Sequence, residues 1–331
     1  MRVTDVRCIY DPGCHCAFTD IVRWRDRLYV AFREAINHSV QHSGQIVVLS
    51  SADLGRSFQP HARLADDHDL RDPHFFATPD RLFLAIPSWI VPDPDRGIPQ
   101  RVRTSHIGCS DNGVDWTVRK LEEPAGRTLW RPRLGPDGMW YAAAYAPAKN
   151  ADDYGVMLYR SSDGLDWERV SDIHMEDKSN ETELCFLPDG DLLALVRREE
   201  EPRFPLIARS SPPYAAWKKT GCDRFLQGPL LERLPDGTLL VVGRSPEPMN
   251  RDTPVGPSCV TRGFELDVDT GKLTYLFTLP SGGDTSYAGL CHLGNGKALV
   301  SYYSGHGYAN GTFLDGDNSQ RCAIYLARLE L

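Results

Sequence analysis

The sequence predicts an all-β protein with a single domain, a six-bladed β-propeller over residues 1–331. Two repeats with periods of about 50 residues predict this architecture, because such a period is typical of propellers and other arrays. Apolar runs of roughly four to eight residues, rich in Val, Leu, Tyr and Trp, predict strands, whereas helical periodicity is weak. The 28 glycines and 24 prolines fit a protein with many turns.

The first repeat is a tight turn between two apolar runs. Asp and Asn, mostly followed by Gly, favour two-residue hairpin turns because these residues tolerate left-handed backbone. By subtraction, successive turns lie about 47–59 residues apart. We expect each turn to join the inner strand of a blade to its second strand. The six turn positions are Asp26, Asp80, Asp137, Asp189, Asp236 and Asn295.

The second repeat is out of phase with the first and predicts the turn between the two outer strands. Residues 51–58 read SADLGRSF, and residues 109–116, CSDNGVDW, repeat the pattern with Cys in first place. Degenerate copies follow at 160–167 and 210–217. Ser and Asp bond back to the backbone in such turns, while Gly allows positive φ. The pattern resembles the Asp-box repeat of the sialidase superfamily, which also occurs in propellers without enzymatic activity.

The last blade ends in CAIYLARLEL at the C-terminus. We expect a strand between Val3 and Tyr10 to complete it, because this closure removes two free sheet edges.

The overall composition argues against some classes of binding partner. A net charge of −8 and a pI near 5.7 disfavour a nucleic-acid partner, and no apolar run reaches the roughly 20 residues of a membrane span. The first residues, MRVTDVRCIYDPGCHC, lack the apolar core of a secretory signal. Nine scattered cysteines favour free thiols and a cytoplasmic location. No second ligand pair at a zinc spacing accompanies Cys14-His15-Cys16. We therefore expect neither a metal nor a cofactor. The sequence makes no prediction of the oligomeric state.

Superposing the six turns aligns the inner strands and predicts two rings of side chains around the central funnel. Eight residues before each turn lie Phe18, Asp72, Leu129, Glu181, Gly228 and Tyr287. Two residues further along lie Asp20, His74, Arg131, Glu183, Leu230 and Gly289. Charged and aromatic side chains in a ring of this kind indicate a ligand site.

Three arginines end the second strands of three blades. Arg33 lies seven residues after its turn, and Arg197 and Arg244 lie eight residues after theirs. Guanidinium groups that converge on one cavity repel one another unless an anion lies between them, and they match a carboxylate in shape. The repeat therefore favours an anion pocket. The alternative is a solvated rim where each arginine pairs with a local glutamate: Glu34, Glu199 or Glu200.

Tyr287 and Glu181 occupy the same inner-strand position in blades six and four, with Gly228 leaving room between them. A carboxylate can accept the phenolic proton and make the oxygen a nucleophile. The alternative is a buried tyrosine whose hydrogen bond to Glu181 is structural.

Residues 178–305 resemble the sialidases in more detail. In the segment ETELCFLPDG followed by LLALVR, a Glu opens a strand, a turn follows, and Arg197 closes the next strand; Ser286-Tyr287-Ala-Gly-Leu resembles the segment with the sialidase tyrosine nucleophile. The resemblance implies that Tyr287 attacks the anomeric carbon, that Glu181 is its base, and that Arg197 binds the substrate carboxylate. It implies another carboxylate-binding arginine at Arg244 or Arg251.

Blade one departs from the sialidase pattern. Sialidases have an Arg-Ile-Pro motif here, and this chain has Ala17-Phe18-Thr19-Asp20-Ile21 in its place, so Arg33 is the candidate for the missing guanidinium. The loop that carries the acid/base Asp in sialidases contains His38 and His42 instead. Candidate proton donors are therefore Asp20, Asp72 and His38. Arg131, His74 and Glu183 are further candidates for substrate binding.

Three hypotheses about function follow from these residues. The first is an exo-glycoside hydrolase that acts on a terminal acidic sugar, sialic acid or a related sugar acid. The second is a uronate-specific polysaccharide lyase that uses His and Tyr as base and acid, with candidates His38, His42, His74 and Tyr287. The third is a non-catalytic glycan-binding propeller, in which Trp130, Trp140 and Tyr303 stack on sugars. All three take carbohydrate as partner.

Overall fold

The computed structural model describes residues 1–39, 44–93, 95, 97–98, 101–146, 155–247, 259–308 and 321–331. Within these ranges the backbone forms 26 β-strands and no α-helix, which confirms the all-β prediction. No described segment is a helix that could cross a membrane. The strands form six antiparallel sheets, each of which is one blade.

The first three blades contain fourteen strands, β2 to β15, in chain order from the inside outwards. Blade one contains β2 (His15–Trp24), β3 (Arg27–Ala35), β4 (Gln45–Ser51) and β5 (Gln59–Leu64). Blade two contains β6 (Asp69–Leu70), β7 (His74–Ala77), β8 (Leu82–Ile90), β9 (Val102–Ser110) and β10 (Thr117–Lys120). Blade three contains β11 (Thr128–Leu129), β12 (Arg133–Leu134), β13 (Trp140–Ala146), β14 (Gly155–Ser161) and β15 (Glu168–His174).

The remaining blades have four strands each. Blade four contains β16 (Thr182–Phe186), β17 (Leu192–Val196), β18 (Leu206–Ser210) and β19 (Lys218–Gly221). Blade five contains β20 (Gln227–Arg233), β21 (Leu239–Pro246), β22 (Cys259–Leu266) and β23 (Leu273–Thr278). Blade six contains β24 (Thr285–Gly294), β25 (Lys297–Ser304) and β26 (Ala323–Glu330), and its outermost strand is the N-terminal β1 (Arg2–Tyr10).

The core consists of apolar layers between blades. Six clusters of buried side chains lie in the described residues, and each is shared by two neighbouring blades. The cluster with Phe32 of blade one and Ile324 of blade six joins the two ends of the ring. The predicted six-bladed propeller is therefore confirmed.

Both sequence repeats are turns, at opposite edges of the blades. Each Asp or Asn turn joins the innermost strand to the second strand, for example at Asn295, where φ is 51°. In the outer turn after β4, Ser51 Oγ accepts from the Gly55 N–H. In the second copy the residues that form these bonds are Ser110 and Asn112, one position later than the aligned Cys109 and Asp111.

The inner strands are irregular where they begin, and this irregularity forms the site. Strands β2, β20 and β24 each contain a bulge, and β6 and β7 are separated by a short break. Residues with left-handed backbone stand at all four places: Phe18 (φ 60°), Asp72 (42°), Gly228 (53°) and Tyr287 (48°). A bulge changes the direction of a side chain, and left-handed backbone at a bulky residue costs about 1–3 kcal/mol. These irregular positions all lie at the end of the propeller where the inner strands begin.

Candidate active site

A cavity of about 420 Å³ opens at the end of the propeller where the inner strands begin. This volume lies in the lower part of the range for small-molecule sites, roughly 300–1,000 Å³. Four members of the first ring line it: Phe18, Asp72, Glu181 and Tyr287. Five arginines share the wall: Arg71, Arg101, Arg103, Arg197 and Arg244. The cavity is therefore rich in positive charge.

Tyr287 and Glu181 are in direct contact. The Tyr287 hydroxyl donates to Glu181 Oε1 at 2.7 Å, although the two residues come from blades six and four. A Cβ added at Gly228, in the blade between them, would lie 2.9 Å from the Tyr287 ring. Burial and the Glu181 carboxylate raise the pKa of Tyr287 well above its usual value. The phenol is thus protonated at neutral pH, and it becomes a nucleophile only if Glu181 takes its proton.

Arg197 holds this pair in place. Its Nη1 donates to Glu181 Oε2 and lies 3.0 Å from the Tyr287 hydroxyl, and its Nη2 lies 2.5 Å from Glu199. One guanidinium therefore connects the carboxylate and the phenol at the cavity wall. The pairing with Glu199, which was the alternative reading for this arginine, is also present.

Asp72 is the second carboxyl group on the wall. Its side chain is 15% exposed. Burial, reinforced by the charge of Glu181, raises its pKa to about 6, while Arg71 opposes the shift. Its nearest ionic partner is the Arg71 Nε at 4.0 Å. A carboxyl group with a pKa near neutrality can donate a proton and later accept one.

His38 lies on the wall beside Phe18 and is held by a buried aspartate. Its Nδ1 is 2.6 Å from Asp284 Oδ2, and the side chain is 34% exposed. His15 Nε2 lies 3.0 Å from the same oxygen, and the Tyr303 hydroxyl donates to Asp284 Oδ1 at 2.7 Å. Burial opposes the ionisation of Asp284, yet His38, His15 and Arg244 hold its pKa well below the usual value. An ionised carboxylate thus fixes the His38 ring and leaves Nε2 as the nitrogen available to a ligand.

Arg244 reaches the cavity from the end of β21. Its guanidinium donates to the Thr285 carbonyl, to Asp284 Oδ1 at 3.0 Å and to the Tyr303 hydroxyl at 3.1 Å. It also lies 5.8 Å from the centre of the Tyr287 ring. The two arginines predicted for this wall, Arg197 and Arg244, therefore flank the tyrosine.

Arg33, predicted to join them, lies behind the wall. Its side chain is fully buried, and its Nε donates to Asp69 Oδ1 at 2.8 Å. Its two other nitrogens donate to the carbonyls of Asn37 and Ser39. The loop after β3 thus covers Arg33 and satisfies its donors. Arg33 is a positioning residue for the loop that carries His38, and Arg71 takes the expected third place in the cavity.

We expect Arg33→Met to lower the free energy of unfolding by about 3–5 kcal/mol, because it leaves the buried Asp69 carboxylate without its main partner. Urea denaturation of the purified variant measures the change. The control is Arg63→Met in the same blade, whose ion pair with Glu34 is partly exposed and should contribute less than about 1 kcal/mol. Equal losses in both variants would contradict the role given to Arg33.

The second predicted ring lies below the cavity. Asp20, His74, Arg131 and Glu183 are all buried, and none lines the wall. The Arg131 guanidinium is 3.0 Å from Glu183 and 3.4 Å from Asp20, and His74 packs edge-on against Trp130. The strand bulges turn the first ring towards the cavity and leave the second as a charged plug of the funnel. The prediction that these four residues line the site is therefore wrong.

Other sequence predictions have different outcomes. Arg251 and His42 lie outside the described residues. Trp130, Trp140 and Tyr303, the aromatic residues expected to stack on sugars, are buried in the core. They are therefore not available to a ligand, and Trp89 is the tryptophan on the cavity wall.

Several residues at the site were not predicted from the sequence. Arg71 on the wall precedes Asp72 in the chain, and the buried Asp284, which holds His38, lies three residues before Tyr287, so proximity to predicted residues could have suggested both.

Arg103 lies on β9, outside the first two strands of its blade, where the superposition makes no prediction. Tyr145 lies eight residues after Asp137, the position that Arg197 and Arg244 hold in their blades, where only arginines were predicted to reach the cavity.

Candidate metal ligands lie elsewhere. Among the described residues, four groups could hold an ion: Cys14/Cys16/Glu34, His15/Asp284/Cys322, Asp66/His68/His106 and His174/Glu176/Asp177. None of their members lines the cavity. All nine cysteines are free thiols.

The sequence matches no protein-family profile and no curated protein. Solved structures do resemble the fold. A protein of unknown function from Dyadobacter fermentans has a TM-score of 0.80 and 20% identity, with 100% of this chain and 99% of that chain covered. The endosialidase of phage phi92 has a TM-score of 0.70 and 11% identity, with 99% and 69% covered.

A third neighbour is the Trypanosoma rangeli sialidase, in complex with 2,3-difluorosialic acid as a covalent intermediate. It has a TM-score of 0.60 and 10% identity, with 95% of this chain and 54% of that chain covered. Identities this low establish the fold alone. The chain is thus a six-bladed β-propeller whose fold resembles that of sialidases.

Proposed function

We propose that the protein is a glycoside hydrolase that removes a terminal acidic sugar, sialic acid or a related sugar acid, by a sialidase-like mechanism. The observation that carries this proposal is the 2.7 Å hydrogen bond from Tyr287 to Glu181 at the wall of an arginine-rich cavity. A phenol paired with a carboxylate in such a place has the geometry of an activated nucleophile. The covalent intermediate of the T. rangeli sialidase supports a double displacement.

In the first step the Tyr287 oxygen bonds to the anomeric carbon while Glu181 accepts the phenolic proton. The bond from that carbon to the leaving oxygen breaks, and Asp72 donates a proton to this oxygen. In the second step water attacks the anomeric carbon, Asp72 accepts its proton, and the tyrosine leaves with a proton from Glu181. Two displacements at one carbon retain its configuration.

The arginines bind the carboxylate of the sugar. Their positive charge offsets the repulsion between that carboxylate and Glu181. Arg71 suits this role because its carboxylate contacts are long, 3.4 Å to Asp69 and 4.0 Å to Asp72. A bound carboxylate accepts charge-assisted hydrogen bonds that a neutral sugar cannot form. The proposal therefore includes a preference for acidic over neutral terminal sugars.

The test is the mass and configuration of products from a panel of sialylated, uronate-containing and neutral glycans. Addition of one water with retained anomeric configuration in nuclear magnetic resonance supports the proposal. Release of an unsaturated uronate assigns a lyase instead, and an unchanged panel contradicts both enzymatic readings.

A uronate lyase is the second candidate, because the His38–Asp284 pair also lies at this cavity. In that reaction His38 takes the proton next to the uronate carboxylate, Tyr287 protonates the leaving oxygen, and an arginine neutralises the carboxylate. Hydrolysis is favoured because Tyr287 bonds a carboxylate that can accept its proton.

Asp72→Asn tests the acid. The protonated form is active in the first step, so we expect wild-type kcat/KM to fall as the pH rises above about 6, the pKa of Asp72. The variant should lose about 10²–10⁴-fold in rate on natural glycosides and lack this alkaline decline. Aryl glycosides, whose leaving groups need little protonation, should be affected much less. A variant with an unchanged pH profile would assign the proton donor elsewhere, with His38 as the next candidate.

A further inference from the structure

The charges on the cavity wall do not balance. Five arginines face two carboxyl groups, Asp72 and Glu181. Three of the five form ion pairs with carboxylates: Arg71, Arg197 and Arg244. Arg101 and Arg103 form none with the described part of the chain. An excess of this kind in a small cavity indicates that the ligand supplies negative charge.

Arg103 is built into the wall. Its guanidinium carbon lies 4.0 Å from the centre of the Trp89 ring and 5.1 Å from that of Tyr145. Its Nη1 donates to Thr128 Oγ1 at 2.8 Å, and its buried Nε has no hydrogen-bond acceptor. Arg101 lies 5.4 Å from the centre of the same Trp89 ring. Two aromatic rings and a hydroxyl thus hold a guanidinium that forms no ion pair within the described residues.

A guanidinium whose Nε is buried without an acceptor is costly. The Arg103 side chain as a whole is half-buried, and burial lowers its pKa, while Tyr145 and Asp72 oppose the shift. A buried charge normally has a partner of opposite sign. The partner expected here is an oxyanion, because the planar fork of arginine matches carboxylate and sulfate oxygens.

We propose that Trp89, Arg101, Arg103 and Tyr145 form a second anion subsite, separate from the arginines beside Tyr287, for an oxyanion of the substrate. The identity of the substrate in this inference rests on the proposed function, whereas the binding of an anion does not. Strands β8, β9 and β13 of blades two and three, with Arg101 directly before β9, supply the subsite, whereas Tyr287 and Glu181 belong to blades six and four. A substrate that fills the cavity therefore carries two anionic groups. The second is a sulfate ester or carboxylate, on the terminal sugar or on its neighbour.

The first experiment uses inorganic sulfate and needs no glycan. The indole N–H signal of Trp89, assigned with Trp89→Phe, is followed as sodium sulfate replaces sodium chloride at constant ionic strength. A saturable shift is expected in the wild type and not in Arg103→Gln. Arg25→Gln is the matched control because Arg25 also lies 4.0 Å from a tryptophan ring, outside the cavity; the Trp89 shift should persist there. A sulfate response that survives in Arg103→Gln, or none in the wild type, overturns the subsite. If Arg103→Gln does not fold, Arg103→Lys replaces it and should bind sulfate more weakly.

The second experiment identifies the source of the anion. Calorimetry on Tyr287→Phe compares sialyllactose with two derivatives, one sulfated on the sialic acid and one on the neighbouring galactose. The derivative whose sulfate reaches the subsite should bind at least about tenfold more tightly, and Arg103→Gln should remove that gain. Equal affinities for all three ligands overturn the inference. Failure to bind any glycan contradicts the proposed function instead, and the sulfate titration still decides the subsite.

Discussion

Tyr287→Phe is expected to reduce kcat for hydrolysis by at least about 10³-fold, because it removes the phenolic oxygen that attacks in the proposed mechanism. The fold should persist. The ring keeps its contacts, including Phe18 at 5.1 Å between ring centres, and Glu181 keeps its ion pair with Arg197. Steady-state kinetics on the glycan that the wild type cleaves, with thermal unfolding in parallel, measures both effects.

Tyr302→Phe is the control. Tyr302 is also a buried tyrosine of blade six, and its hydroxyl donates to the Pro280 carbonyl outside the cavity. This variant loses a hydroxyl and one hydrogen bond but should keep wild-type turnover within about threefold. Equal turnover in Tyr287→Phe and Tyr302→Phe would show that the phenol of Tyr287 is not the nucleophile.

The sequence predicted the propeller because a blade is a local unit. Each blade repeats the inner turn and four blades carry a copy of the outer turn, and the turn residues are read from short segments such as that around Asn295. Repetition then implies a ring, since a sheet with two apolar faces needs a neighbour on each side. The same superposition predicted the inner-strand level of Tyr287 and Glu181.

Arg33 shows where the repeat stops being informative. Arg33 and Arg244 hold equivalent register positions beside the bulges of β2 and β20. Each also pairs with an aspartate at the start of the next blade, Asp69 or Asp284. Within the described residues, the loop after β3 distinguishes them, because its carbonyls satisfy Arg33. Loops do not repeat between blades, so superposition could not separate a wall residue from a buried one.

The bulges were also beyond sequence reasoning. They have no common residue type, since the left-handed positions hold Phe18, Asp72, Gly228 and Tyr287. An inserted residue changes which side chains share a face. The second ring, with Asp20 and Glu183, was therefore expected in the cavity and is buried below it.

Two acid–base pairs, Tyr287–Glu181 and His38–Asp284, lie at one cavity and correspond to the two candidate reactions. Removing the carboxylate of one pair should affect only the reaction that needs it. Glu181 is the better position for this test, because Gln keeps the size of the side chain and an oxygen for Arg197. His38→Gln is the reciprocal test.

Glu181→Gln is expected to slow a hydrolase by about 10²–10⁴-fold, because Tyr287 then attacks without a base. A lyase that uses His38 as its base should lose far less, whereas His38→Gln should abolish it. Glu199→Gln is the matched control, since Glu199 contacts the same guanidinium of Arg197 and lies off the cavity wall; its loss should stay below about tenfold. The measurement is the rate of each of the three variants on the glycan that the wild type cleaves. Unimpaired hydrolysis by Glu181→Gln would remove Glu181 from the mechanism and leave the 2.7 Å contact with Tyr287 as a structural hydrogen bond.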